Sequence, residues 1–248
     1  MITALPTGDR CLLSIFFGCF LVLAGGCALF QDQVDAEIDA GIMAELKETL
    51  SHAPTDELAK TYDPLSLLQK AETFYKDKNF VEAAAEYEYF LNLHPLHRWA
   101  SYAQYKLGLC YFRQIQSVDR DIEPVLKALT AFQKLMDLYP QNPYQEAAQK
   151  KILFCRERLA EHEFYIGHFY YKKSAYPAAI TRFQGIVQGY PESEVASQAL
   201  YYLALSYEGQ GEFEKAKQGL KELLEKYPDT QYRREIPRLL SRLDGQKT

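Results

Sequence analysis

The sequence predicts an all-α chain of stacked helical hairpins, and three observations carry that prediction. Apolar residues recur at helical spacing along most of the chain after residue 64. Gly and Pro number 13 and 11 in 248 residues, too sparse for a turn-rich β protein. One pattern of small, aromatic and proline positions returns four times, as expected of a repeat architecture.

Taken in order, the first element is a leader. Residues 11–24, CLLSIFFGCFLVLA, are an uncharged apolar run of 14 preceded by Arg10 and the amino terminus. A spanning helix needs about 20 apolar residues, so the run fits a signal-peptide core better than a permanent anchor. It closes on Leu23-Ala24-Gly25-Gly26-Cys27, small residues leading into a cysteine. This resembles the lipobox of bacterial lipoproteins, which implies a signal peptide over 1–26 and a diacylated Cys27 as the mature N-terminus. An ordinary cleaved signal and an uncleaved anchor are the other readings. Acyl chains contribute about 0.8 kcal/mol per buried CH₂, so multiple acylation makes a stable tether. Ala rather than Asp at position 28 favours passage to the outer membrane.

Residues 27–63 read as an acidic tether, with nine acids against two lysines between Ala28 and Asp63. The whole chain is at −5, so the remainder is close to neutral and offers no broad basic face for nucleic acid. Within the tether Val34, Ile38, Ile42, Leu46 and Leu50 recur every fourth residue, a helical stripe capped by Asp32 and ended before Pro54.

The body, 64–244, carries the repeat, and 245–248 are a tail. Segment one has Ala71, Phe74, Phe80, Ala83, Tyr87, Phe90 and Pro95, with steps of 3, 6, 3, 4, 3 and 5. Gly167 to Pro191 and Ala204 to Pro228 repeat those steps, and Gly108 to Pro140 does so with eight extra residues after Tyr111. These are the steps of the tetratricopeptide repeat, a helix A–turn–helix B hairpin. Small Ala71, Gly108, Gly167 and Ala204 let the two helices lie close, and each proline ends helix B. A single hairpin cannot bury its apolar stripe, so the hairpins stack into a right-handed superhelix of about four repeats. The surplus of 19 Tyr and 14 Phe is explained mainly as packing at those seams.

Two irregularities stand out. Gln114–Glu123 is a charged insertion between the helices of the second repeat. From Tyr144 to Lys173 there is no Pro and one Gly, which predicts one long helix of about 30 residues. A final helix is expected over Gln231–Leu243, with Arg233, Arg234, Arg238 and Arg242 as the polar face of a cap.

The stretch Ser117–Pro191 resembles the BamD (ComL) family of outer-membrane assembly lipoproteins. The residues that carry it are Asp119-Arg120-Asp121, the Tyr139-Pro140…Tyr144 turn, Arg156-Glu157-Arg158-Leu159-Ala160 and Tyr170-Tyr171, and the likeness extends over roughly 66–228. The resemblance implies a scaffold on the periplasmic face of the outer membrane. Its C-terminal half would grip the POTRA domains of a BamA-like barrel protein beside other assembly-machinery lipoproteins, and its N-terminal half would receive unfolded outer-membrane proteins. It also implies an ion pair from the body to the POTRA domain through Arg182, in TRFQGIV. The family carries five repeats where four are found here, the first being the one that lacks a counterpart.

Repeat geometry independently picks the helix A positions that line the concave face. They are Leu68, Glu72 and Tyr75, then Tyr102, Tyr105, Phe112 and Arg113. Next come Phe164, His168, Tyr171 and Lys172, and finally Tyr201. Rings mixed with cations suit an extended peptide with aromatic side chains and a free carboxylate. The alternative is that these rings pack against neighbouring helices. Catalysis is not expected. None of the five histidines forms a metal-ligand pair with an adjacent Glu, and there is no nucleophile elbow, phosphate loop or C-x-x-C. No cofactor or metal is therefore anticipated. Glu161 and Glu163 beside His162 read as a solvated face around a satisfied histidine. Cys110 and Cys155 lie in helical patterns and read as small buried apolar residues, with a disulfide left open. The alternative function is another envelope repeat lipoprotein, serving pilus assembly or cell-division coordination; it would lack the Ser117–Pro191 stretch.

Overall fold

In a computed structural model the described residues are 62–246 together with Ala44, and all but Ala44 fall in the unit Pro54–Thr248. The leader, Cys27, the Val34–Leu50 stripe and residues 247–248 lie outside the described residues. Nine α-helices and no strand occur among the described residues. They are α1 (Pro64–Lys76), α2 (Phe80–Leu93), α3 (Ala100–Phe112), α4 (Glu123–Leu138), α5 (Gln145–Lys172), α6 (Tyr176–Gly189), α7 (Ala196–Gly209), α8 (Phe213–Lys226) and α9 (Ile236–Asp244). Each helix packs on the next, and α5 also touches α7. This is a tetratricopeptide-repeat stack: α1/α2, α3/α4, the C-terminal half of α5 with α6, and α7/α8, closed by α9.

Each element forms for a local reason. Pro64 opens α1, and the Asp63 side chain accepts from the Ser66 N–H at 2.8 Å. Inside the hairpins the small residues do what their spacing requires. A Cβ placed on Gly108 would stand 2.5 Å from the Phe132 ring, and one on Gly167 would stand 2.8 Å from the Phe183 ring. Both rings are fully buried, each a gain of about 1.5–3 kcal/mol, and glycine is what lets the facing backbone come so near. The three short A–B turns share one device. Lys78, Ser174 and Gly211 adopt φ of 60°, 56° and 82°. The next N–H in each case (Asn79, Ala175, Glu212) bonds the carbonyl of Phe74, Tyr170 or Tyr207. That is a Schellman closure, recurring where the repeat pattern recurs. Between repeats, Tyr139 donates its hydroxyl to the Pro95 carbonyl at 3.0 Å, and Tyr227 donates to the Pro191 carbonyl at 2.8 Å.

The long helix is present: α5 has 28 residues, about 42 Å at 1.5 Å per residue. The insertion runs from the end of α3 to the start of α4 and is held on α5 where His162 Nδ1 donates to the Val118 carbonyl at 2.6 Å. One boundary differs from expectation. The cap helix begins at Ile236 rather than Gln231, and 231–235 form a turn. Pro237 explains it: its ring would strike the carbonyl four residues back and it has no N–H to give, so it sits in the first turn of a helix. Ile236, Leu239 and Leu243 face the stack, while Arg238 and Arg242 stay exposed. Arg242 grips Glu208 of α7 with both oxygens at 2.7 and 2.8 Å. Cys110 and Cys155 are both free and buried.

Candidate functional site

The concave candidates divide according to how successive A helices meet. At each regular junction the side chain two residues before the small residue of one A helix enters the A helix before it. From α3 that residue is Lys106, which meets Glu72 and Tyr75; from α7 it is Tyr202, which meets Phe164, His168 and Tyr171. The two insertions differ in kind and leave different surfaces behind.

The first junction is closed. Glu72 and Lys106 are 2% and 1% exposed. Glu72 accepts hydrogen bonds from the hydroxyls of Tyr87 and of Tyr102, the latter at 2.6 Å. Lys106 Nζ lies 3.8 Å from the same carboxylate and 3.5 Å from the centre of the Tyr75 ring. A buried charge is tolerated only when paired and hydrogen-bonded, and this cluster meets both needs. Leu68, Glu72 and Tyr102 are thus interior residues and not groove residues. Tyr105, also expected on the groove, is 1% exposed and stacks on Tyr144 at 4.6 Å, because the start of α5 covers it. Of that half only Tyr75, Phe112 and Arg113 keep exposed surface. Tyr75 is half-buried; burial raises its phenol pKa, against the pull of Lys106 and of Arg113, which hydrogen-bonds it. Phe112 packs at 5.0 Å from Phe154, and Lys151 Nζ lies over its ring at 5.0 Å.

The second junction is open. Phe164, His168 and Tyr171 follow one another along α5 with rings nearly parallel, 5.8 and 6.4 Å apart. Tyr202 meets all three in T-shaped contacts at 5.8, 4.9 and 5.1 Å. All four are half-buried, and Lys172 is exposed beside them. Burial lowers the pKa of His168 and Lys172 adds to the effect, so the ring is neutral at pH 7 and stacks as an aromatic. Tyr201, the last groove candidate, belongs elsewhere: it stacks on Tyr232 at 3.8 Å and is tied to Glu235, ahead of the cap. Tyr202, absent from the expected list, is the residue around which the ladder is built. Its place two residues before Ala204, matching Lys106 before Gly108, is the signal that finds it.

Arg182 is half-exposed on α6 and pairs with both oxygens of Glu163 on α5 at 3.1 and 2.9 Å. Sequence spacing did not reveal that partner. Two grooves of matching construction lie on the B-helix side. One, of about 490 Å³, sits between α2, α3 and α4; the other, of about 540 Å³, sits between α6, α7 and α8. In each a lysine lies over a tyrosine, Lys127 over Tyr111 at 5.6 Å and Lys215 over Tyr207 at 5.4 Å. Burial pushes both buried thiols up to about 12, so neither is a nucleophile at neutral pH.

The family described as YfiO, outer membrane lipoprotein, matches residues 32–219. The outer membrane protein assembly factor BamD of Vibrio cholerae serotype O1 is 33% identical over 148 residues, 56% of this chain and 61% of that protein. BamD of Caulobacter vibrioides is 31% identical over 176 residues, 71% of this chain and 58% of that protein. The chain thus spans about three fifths of the length of these relatives. Among solved structures, the TPR2AB domain of yeast Sti1 is 15% identical, covering 88% of this chain and 99% of that one with a TM-score of 0.33.

Proposed function

The chain belongs to the YfiO family of outer membrane lipoproteins, and from that premise we propose that it is a non-enzymatic assembly factor for outer-membrane proteins. Acylation of Cys27 tethers it to the periplasmic face of the outer membrane. The repeat body is the scaffold. It holds the POTRA domain of a BamA-like barrel protein, stands beside other assembly-machinery lipoproteins, and receives segments of unfolded outer-membrane proteins.

The observation that carries the substrate part is the half-exposed ladder Phe164, His168, Tyr171 and Tyr202 with Lys172 at its end. Rings at offset and edge-on separations accept another aromatic side chain, and a lysine beside them accepts a carboxylate. Phe112 and Arg113 are a second, smaller patch of the same chemistry, with Tyr75 beside Arg113. Arg182 supports the partner part. Its pair with Glu163 is half-exposed on both sides, close to the surface pairs that contribute about 0.2–1 kcal/mol, so a partner carboxylate can take Glu163's place at little cost.

The test uses a fluorescent peptide ending in Phe with a free carboxylate, against its C-terminal amide. The full chain binds the free acid more tightly, and Lys172→Glu removes the preference. Equal affinity for acid and amide in the wild-type chain refutes the groove.

A further inference from the structure

We propose that the face of α5 carrying Tyr165 and Phe169 is a docking site for an acidic amphipathic α-helix of a partner protein. Two positions on each A helix, two residues before and two after its small residue, face the preceding repeat. In α3 they are Lys106 and Cys110, exposed by 1% and 0%. In α7 they are Tyr202, half-buried in the ladder, and Ser206, fully buried. In α1 they are Gln69 and Thr73, both exposed and both polar. In α5 they are Tyr165 and Phe169, each 53% exposed.

The cause is visible in the connection. Because α5 is extended at its N-terminus, its first turns cover the second repeat: Tyr144 lies on Tyr105 and Phe154 on Phe112. The half of α5 that acts as helix A of the third repeat is thereby carried past α3. Beyond His162, where the insertion rests on α5, the face that would receive a preceding A helix is open at Tyr165 and Phe169. Where such a face is exposed in α1 it is polar; in α5 it holds two aromatic rings. Phe154, 40% exposed, lies within about 60° of the same helical line and about 22 Å from Phe169, with the insertion crossing between them at His162.

The fold also specifies the occupant. A face built to pack against an A helix fits an α-helix with apolar residues at i, i+4 and i+7, the spacing that Phe164, His168 and Tyr171 present to Tyr202 at the next junction. Charge selects the sign. Lys172 and Lys173 are exposed at the C-terminal end of the strip, and Lys173 lies 5.9 Å from the Phe169 ring. Arg158 lies over Phe154 at 5.3 Å, its Nη1 paired with Glu161 and its buried Nε without a hydrogen-bond partner. The cations at the end of the strip call for acidic residues flanking the partner's apolar stripe.

The experiment is a fluorescence-anisotropy titration of the full chain with a synthetic amphipathic helix of about 18 residues. Its leucines lie at i, i+4, i+7 and i+11, with glutamates elsewhere; a second peptide carries lysines instead. The glutamate helix binds the wild-type chain more tightly than the lysine helix. Tyr165→Ser with Phe169→Ser weakens it by about tenfold or more while the melting temperature stays unchanged, since both rings are exposed. Lys172→Glu with Lys173→Glu inverts the preference between the two peptides. No binding, equal affinity for both peptides, or equal affinity for the serine variant overturns the proposal. So does dimerisation of the wild-type chain, seen in sedimentation and lost in the serine variant, because it assigns the strip to a second copy.

Discussion

Replacing Lys106 by Met tests how the first two repeats are joined. Lys106 is 1% exposed, and its ammonium lies 3.8 Å from the Glu72 carboxylate, itself 2% exposed. Removing one partner of a buried ion pair costs about 3–5 kcal/mol, because the other charge stays in the interior. Glu72 retains the hydroxyls of Tyr87 and Tyr102, which places the expected loss near the lower figure. For a domain of this size each kcal/mol lowers the melting temperature by about 2–4 °C, so Lys106→Met falls by about 6–12 °C. Glu72→Gln alone has a similar effect, since it removes the carboxylate facing a buried ammonium that keeps the Tyr75 ring beside it. The amide keeps an oxygen for the two phenols, so the double variant leaves no buried charge. It is less destabilised than the sum of the singles by about 2–3 kcal/mol, read in a double-mutant cycle of urea unfolding. Additivity to within about 0.5 kcal/mol refutes the reasoning, for it means the two charges do not depend on one another.

The remaining expectations can be tested with the same protein. Gly108→Ala lowers stability by about 1–2 kcal/mol, since its methyl group meets a fully buried Phe132 ring at 2.5 Å; Gly185→Ala, with nothing within 4 Å, raises it by up to about 1 kcal/mol. Equal shifts in chemical unfolding of the two variants contradict the seam geometry. Cys110 and Cys155, with thiols pushed up to about 12, are silent to a thiol reagent at pH 8 in the folded chain and react on unfolding. Rapid reaction of both before unfolding is the contrary result. His168 and His97 have pKa values lowered chiefly by burial, so the unfolded chain binds more protons below its ordinary histidine pKa of about 6.5. Stability is therefore fully present above that pH and declines as pH falls through 6.5 toward the folded values. His168→Gln with His97→Gln flattens the decline, and an unchanged pH profile counts against it.

Most of the fold was legible because the repeat writes its contacts at fixed steps. Ala71, Gly108, Gly167 and Ala204 located every hairpin, and the Pro-free run from Tyr144 located α5. What spacing could not supply was how one repeat meets the next. Tyr105 has the spacing of a groove residue, yet Tyr144 covers it because α5 starts early. Glu163 and Arg182 face each other from two helices, a match that depends on their relative rotation. The polar run Arg233, Arg234, Arg238 and Arg242 does not mark where the cap helix starts, which Pro237 fixes by sitting in its first turn. In the groove, Phe164, His168 and Tyr171 could be found from the pattern, and Tyr202 could be found only by comparing junctions.

The proposed role is tested most directly by what accompanies the full chain when outer membranes are gently solubilised and it is isolated under wild-type and Arg182→Glu conditions. A barrel protein with POTRA domains is recovered in stoichiometric amount alongside the wild-type chain, and several-fold less with Arg182→Glu although the variant melts like the wild type. Recovery of pilus or division components in place of a barrel protein, or a chain that stays soluble in the periplasm with Cys27 intact, contradicts it.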